Sequence, residues 1–364
     1  MDTLGIYIHV PFCVKKCSYC DFYSVSYEKD ISEKYIDAVI RNLRYYSDKK
    51  RITDTVYFGG GTPSLLSPEQ ITRILCEINN NFNLAENSEI TLETNPNTVD
   101  FEKLSELRKT GINRLSVGVQ SMIDRELVFL GRIHSAERAE KTVYEAYKAG
   151  FENISCDLMI ALPEQSGDSL RYSVEKISAL PVNHVSAYIL KTEQGTPFDC
   201  DEIKNRLPDD DTVAGLYLEM VQIIESMGFE QYEVSNFAKK GFESRHNCRY
   251  WKCSDYIGIG PSAHSCNNGK RFAVGRSLAD FIGSDVQNVF ITDENPCGFE
   301  EYSMLRLRLK EGLDLDSVTA HRDMIIKKIP ELIKSGYINY DGKFISLTPE
   351  GFLMSNSVIS YLIF

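Results

Sequence analysis

Short β-rich runs alternate with amphipathic helical stretches along much of this chain, and no other feature narrows the fold so far. Strands are predicted at Gly5–His9, Thr55–Phe58, Glu89–Glu93, Arg114–Val119, Asn153–Leu158 and His184–Leu190. Between them the apolar residues fall three and four apart. Ile31, Tyr35, Ile36, Val39, Ile40 and Leu43 form one such face, and Ile71, Ile74, Leu75 and Ile78 form the next. Ser67-Pro68-Glu69-Gln70 opens that second helix, with serine as N-cap, proline in the first turn and glutamine three residues on. Asp168 is the expected cap of a later helix carrying Leu170, Val174 and Ile177. Strand–helix repetition of this kind requires parallel strands joined by helical crossovers. The fold class is therefore α/β, with about six units wound into an open or closed barrel, whose chemistry sits on the loops after the strands' C-terminal ends.

Those ends carry unusual residues. Cys13, Cys17 and Cys20 follow the first strand, Gly59-Gly60-Gly61-Thr62-Pro63 the second, and Glu93, Gln120 and Asp157 lie at or near the ends of the third, fourth and fifth. The cysteines are spaced Cys-x3-Cys-x2-Cys. Three thiolates cannot saturate a 4Fe-4S cubane, so such a cluster keeps one iron free of protein ligand and able to bind a small molecule. A zinc site with His9 as fourth ligand, or a redox pair of Cys17 and Cys20, are the alternatives. Structural zinc sites join two ligand pairs far apart, which is not the pattern here, and a redox pair leaves Cys13 without a role. The glycine run lacks the Lys-Ser/Thr of a phosphate loop. On its own it is a tight turn; beside an open iron it lets backbone carbonyls approach a ligand that a Cβ would fend off.

The net charge of −12 argues against a duplex DNA or RNA partner. The ten cysteines form no extracellular framework, and neither a signal peptide nor a bilayer-spanning run is visible near the ends. A reducing cytoplasm suits free thiols and an oxygen-sensitive cluster. The barrel is expected over residues 1–235, an irregular, glycine-rich linking segment over 236–294, and a smaller unit over 295–364. That last unit reads as helices followed by a hairpin turning at Asp341-Gly342, a pair that favours a type I′ turn. Helices with a β wing look like a winged helix, yet from Phe299 onward 8 Lys or Arg face 9 Asp or Glu, so no basic face exists.

The runs CVKKCSYC and GGGTP together resemble the radical S-adenosylmethionine (SAM) superfamily. YIHVPFC, LETNP, RLSVGVQS, LGRIHS, DLMIALP, HNCRYW and GIGPSAHS narrow the resemblance to the branch that holds oxygen-independent coproporphyrinogen III oxidase and the HemW-type haem chaperones. It covers nearly the whole chain. It implies a partial (β/α)6 radical SAM barrel with a small winged-helix-like C-terminal domain. It also implies a 4Fe-4S cluster on Cys13, Cys17 and Cys20, and SAM bound by Tyr7, Tyr19, Gly60, Gly61, Thr62, Glu93, Gln120, Arg132 and Asp157. Carbonyls and Thr62 suit the SAM amino group, Glu93 and Asp157 suit hydroxyl donors, and Arg132 suits a carboxylate.

Two departures separate the chain from the oxidase. Phe22 stands where the oxidase has a fourth cysteine, and the first strand begins almost at Met1, with no preceding extension. Both resemble the haem chaperones, as does HNCRYW, which matches their HNxxYW motif. The resemblance therefore implies haem as cargo, with His246, Tyr250 and Trp251 as its contacts and Arg249 as a partner for a propionate. His264 is a second imidazole candidate. The expected function is haem binding and delivery to acceptor apoproteins such as respiratory enzymes, with an electron donor for the cluster. A homodimer and peripheral membrane contact are compatible with that role. The alternative is the oxidase itself, a radical SAM oxidative decarboxylase of porphyrin biosynthesis. No residue is assigned a catalytic role.

Overall fold

A computed structural model describes residues 3–364. Six parallel strands follow one another in space as they do in sequence: β1 (Thr3–Val10), β2 (Asp48–Gly60), β3 (Phe82–Thr94), β4 (Arg114–Gln120), β5 (Asn153–Ile160) and β6 (His184–Ile189). Each is followed by a helix packed on the outer face. The first five of these are α1 (Lys29–Tyr45), α2 (Pro68–Asn81), α3 (Phe101–Lys109), α4 (Ala136–Lys148) and α5 (Gly167–Ser178), and α6 (Asp210–Ser226) follows β6. The predicted capping box is present at α2: the Ser67 hydroxyl accepts from the Gln70 amide at 3.2 Å, and the Gln70 side chain accepts from the Ser67 amide at 2.9 Å. At α5 the cap is Ser166, with Asp168 in the first turn, where it complements the helix dipole.

The sheet extends past both ends of this set. At one edge the short strand β8 (Asn236–Ala238) pairs antiparallel with β6, and β7 (Glu230–Gln231) pairs antiparallel with β8. The stretch 236–294, expected to be irregular, in fact carries two helices, α7 (Arg245–Trp251) and a short one at Leu278–Gly283, and the strands β9 (Tyr256–Ile259), β10 (His264–Asn267), β11 (Lys270–Val274) and β12 (Val289–Asp293). β9 pairs parallel with β1, so it is a seventh parallel strand, and β10 to β12 continue the sheet antiparallel. At four residues β9 is too short to show a period in sequence, and its apolar pair Ile257 and Ile259 gives no amphipathic signal. The twelve strands form one open sheet.

The C-terminal region has the winged-helix-like mix of helices and a small sheet. α8 (Phe299–Arg306) leads into β13 (Leu313–Asp314), β14 (Ile338–Tyr340) and β15 (Phe344–Leu347), and α9 (Ser355–Ile363) follows. The hairpin is not a two-residue type I′ turn. Its last cross-strand pair is Tyr340 with Ile345, and three residues, Asp341 to Lys343, lie between the two strands. The Asp341 carboxylate accepts from the Lys343 and Phe344 amides at 2.8 and 2.7 Å and only Gly342 of the pair is left-handed, so an Asx-type loop replaces the expected turn. No helix among the described residues is long and apolar enough to cross a membrane.

Candidate functional site

The loop after β1 is built to present side chains at the barrel mouth. Its base is closed by a two-residue parallel bridge, Phe12 with Val25 and Cys13 with Ser26. The glycine loop after β2 is fastened to it by the backbone: the Gly61 amide donates to the Val10 carbonyl at 2.8 Å and the Thr62 amide to the Phe12 carbonyl at 2.7 Å. This contact explains the glycine at 61, where a Cβ would sit 2.6 Å from the Phe12 carbonyl oxygen. Further out the Ser18 amide donates to the Leu130 carbonyl, and the Phe198 amide to Ser18, so the loops after β4 and β6 hold the tip of the cysteine loop.

Cys13, Cys17 and Cys20 are all free thiols. Two donors already point at sulfur: the Thr62 hydroxyl lies 3.6 Å from the Cys13 Sγ, and the Arg132 Nη1 lies 3.4 Å from the Cys17 Sγ. Burial pushes the Cys20 thiol above its ordinary value, and the neighbouring Cys17 and Cys13 push it the same way. No three His, Cys, Asp or Glu side chains among the described residues are gathered to clasp an ion as they stand. The fit to a cluster rests instead on three thiols on one loop with N–H and O–H donors aimed at their sulfurs, the outer hydrogen bonding that iron–sulfur sites use.

The other expected mouth residues converge as placed. Glu93 accepts from the Tyr57 hydroxyl at 2.9 Å and from the Gly60 amide at 3.1 Å. Burial holds its carboxyl up at about 7, against the pull of those two hydrogen bonds. Asp157 accepts from the Ser116 hydroxyl at 3.1 Å, and burial raises its pKa too. Arg132 donates from Nη2 to the Gly118 carbonyl at 2.7 Å, and a Cβ at 118 would meet both Arg132 and Gln120. Gln120 closes β4 in a left-handed conformation (φ 70°), a strain that non-glycine residues rarely carry. Tyr19 is half-buried near Arg132, Cys17 and Cys20, and desolvation there pushes its phenol up. Tyr7 sits deeper, with its hydroxyl 3.1 Å from His9 Nδ1. The second His9 nitrogen meets the Tyr23 carbonyl at 3.0 Å, so His9 has no free nitrogen to complete a zinc site with the cysteines.

Sequence reasoning missed three contributors. Tyr57 and Ser116 hold the two carboxylates. Arg114, 1% exposed, lies beneath them in the barrel and acts on both electrostatically. An arginine inside a predicted strand was the available signal, because a charge on a barrel's inner face needs a partner there.

The HNxxYW run lies elsewhere. It forms α7, which covers the N-terminal end of the barrel, opposite the cysteines. The Glu89 carboxylate, near the entrance to the parallel part of β3, accepts from the Arg245 and His246 amides at 3.0 Å each. Arg249 donates to Thr55 and to the Asp255 carbonyl and pairs with Asp54. It is committed to the barrel wall rather than free for a propionate. His246 is fully buried, with Nδ1 2.9 Å from the Thr55 hydroxyl and Nε2 3.0 Å from the Tyr250 hydroxyl. Its face stacks on Tyr57 with ring centroids 5.1 Å apart. As the chain is folded here, both nitrogens of the haem candidate His246 are engaged and its ring has no exposed surface. Tyr250 is bound up in the same contact. Trp251 is half-buried with the Arg308 guanidinium 6.0 Å from its ring centre, and His264 lies exposed at the start of β10.

Comparison with known proteins agrees with this architecture. Residues 7–177 match the Radical SAM superfamily, whose members use SAM and a 4Fe-4S cluster. The solved coproporphyrinogen III oxidase (HemN) of Escherichia coli shares the fold, with a TM-score of 0.84 at 21% identity over 100% of this chain and 90% of that one. Among curated relatives, the heme chaperone HemW of Escherichia coli K12 is 32% identical over 99% of this chain and 98% of its own length. HemW of Lactococcus lactis is 33% identical over 97% and 95%. The similarity runs end to end, through the cysteine loop, the barrel and the C-terminal unit alike, and so this chain belongs to the HemW haem chaperone family within the radical SAM superfamily.

Proposed function

We propose that the chain binds haem and delivers it to acceptor apoproteins, and that it carries a SAM-associated 4Fe-4S cluster on Cys13, Cys17 and Cys20. The observation that carries this reading is the end-to-end similarity to haem chaperones at 32–33% identity. It is supported by Phe22, which stands exposed at the place of the oxidase's fourth cysteine.

In this reading the chain's own residues prepare the mouth for SAM. Glu93 and Asp157 accept from its hydroxyls, the carbonyls of the Gly60–Gly61 turn and Thr62 receive the amino group, and Arg132 takes the carboxylate. Tyr7, Tyr19 and Gln120 wall the site. When bound, the cluster supplies one-electron chemistry and an iron with an open coordination position. An electron donor and haem-accepting proteins are the partners this role requires, and a cytoplasmic setting suits it.

The test is a pair of measurements on the anaerobically reconstituted protein. Haem titration should show saturable binding and transfer to an apoprotein acceptor. Incubation with coproporphyrinogen III, SAM and a reductant should leave the porphyrinogen unchanged. Formation of protoporphyrinogen would replace this reading with the oxidase one.

A further inference from the structure

If His246 is closed to iron, another group must meet a haem. Of the six histidines, His9, His184 and His246 have both ring nitrogens bonded within the protein, and His134 has one bonded and the other buried. His264 and His321 are the two whose rings are not tied up in this way. His321 lines a cleft. That cleft, about 720 Å³, lies between α8 and α9. This is within the range of pockets that take cofactor-sized ligands.

The apolar part of the lining suits a flat ring. Phe299, Met304, Ile359, Ile363 and Phe364 supply apolar surface. His321 is stacked on Phe299 with centroids 3.6 Å apart and planes 9° apart, a contact that fixes the imidazole by its face and leaves its edge nitrogens free. Histidine and methionine are both axial ligands of haem iron. Arg308 is the one arginine or lysine in the lining. It donates to Asn356 at 3.0 Å, while its buried Nε has no partner. Of the three acids in the lining, Glu301 is already paired with Arg271, and Asp293 and Glu300 face the cleft beside it.

The cleft also gives the HNxxYW helix a purpose. α7 packs against α8, and Trp251 carries the Arg308 guanidinium over its ring. The motif thus supports the helix that forms one wall of the cleft.

We infer that this C-terminal cleft is the haem-binding site, with His321 as axial ligand and the HNxxYW helix as a positioning element. The inference rests on the haem-carrier reading above. Ferric haem is titrated into the full-length chain and its His321→Ala, His321→Gly and His246→Ala variants, followed by Soret absorbance and electron paramagnetic resonance. His321→Ala should bind haem more than about tenfold more weakly, since even second-shell changes at metal sites reach that scale, and should lose the histidine-ligated signature. Added imidazole should restore that signature in His321→Gly. His246→Ala should keep the signature while melting at a lower temperature. Unchanged affinity and spectrum in His321→Ala, or failure of imidazole to rescue His321→Gly, overturns the assignment. Absence of saturable binding in the unmodified protein overturns the haem-carrier reading itself.

Discussion

Tyr57 stacks on His246 with ring planes 27° apart, and the same tyrosine donates its hydroxyl to Glu93 at 2.9 Å. One side chain thus touches both the mouth of the barrel and the helix that covers its far end. Tyr57→Phe preserves the stack and deletes the hydrogen bond. That bond holds the Glu93 carboxyl down against burial, so its loss raises a pKa already at about 7. If the ionised carboxylate holds SAM, binding strengthens as pH rises through that value. In Tyr57→Phe the rise should move to higher pH, and affinity at pH 7 should fall. SAM binding measured by calorimetry between about pH 6 and 9 checks it, and an unmoved midpoint would sink the role given to Glu93.

His246→Ala should destabilise the fold whatever it does to haem. It removes a buried aromatic ring packed on Tyr57 and leaves the Thr55 and Tyr250 hydroxyls without their shared partner. Large-to-small core changes and orphaned buried polar groups of this kind cost about 2–4 kcal/mol. Chemical denaturation gives the number. A loss below about 0.5 kcal/mol, the scale of ordinary surface substitutions, would mean the ring is not packed as described.

The contrast between these two residues marks what the sequence could convey. Glu93 and Asp157 were legible because strand period and length fix which residues reach a strand's C-terminal end, and the cysteine spacing is local. The setting of His246 was not. Its partner Thr55 lies 191 residues earlier, and they meet because α7 folds under the barrel and four-residue β9 slips in beside β1. Motif chemistry named the residue types, imidazole and indole, and long-range packing decided that they brace a wall. The same limit explains Asp168, where two capping residues stood within two positions and only backbone geometry chose Ser166.

Glu233 offers a pH test of the buried interior. It is fully buried, accepts from the Ser235 amide at 3.2 Å, has a second oxygen without a partner, and is pushed up to about 7 by burial. Between the ordinary glutamate value and about 7 the folded state holds a proton that the unfolded state releases. Stability from this group is therefore present at low pH and lost as pH rises through that window. Glu233→Gln should flatten the decline by on the order of 1–3 kcal/mol between about pH 5 and 8. Denaturation curves at the two pH values decide it, and a decline equal to that of the parent protein would show that Glu233 is ionised throughout.

Gly61→Ala probes the joint between the glycine and cysteine loops. The new Cβ would meet the Phe12 carbonyl oxygen at 2.6 Å and the Phe12 amide nitrogen at 3.0 Å, both backbone atoms that cannot rotate away. The two loops must separate, and the Gly61–Val10 and Thr62–Phe12 hydrogen bonds go with them. Thr62 is then drawn off the Cys13 sulfur that it faces at 3.6 Å. The barrel core lies below this joint, so the variant should fold yet take up much less iron and sulfide on reconstitution. Iron, sulfide and visible absorbance per chain, read beside a far-ultraviolet spectrum, separate the two effects. Full loading in a folded Gly61→Ala protein would show that the cluster site does not depend on this loop contact, and the part assigned to the glycine run would then fall to Gly60 alone.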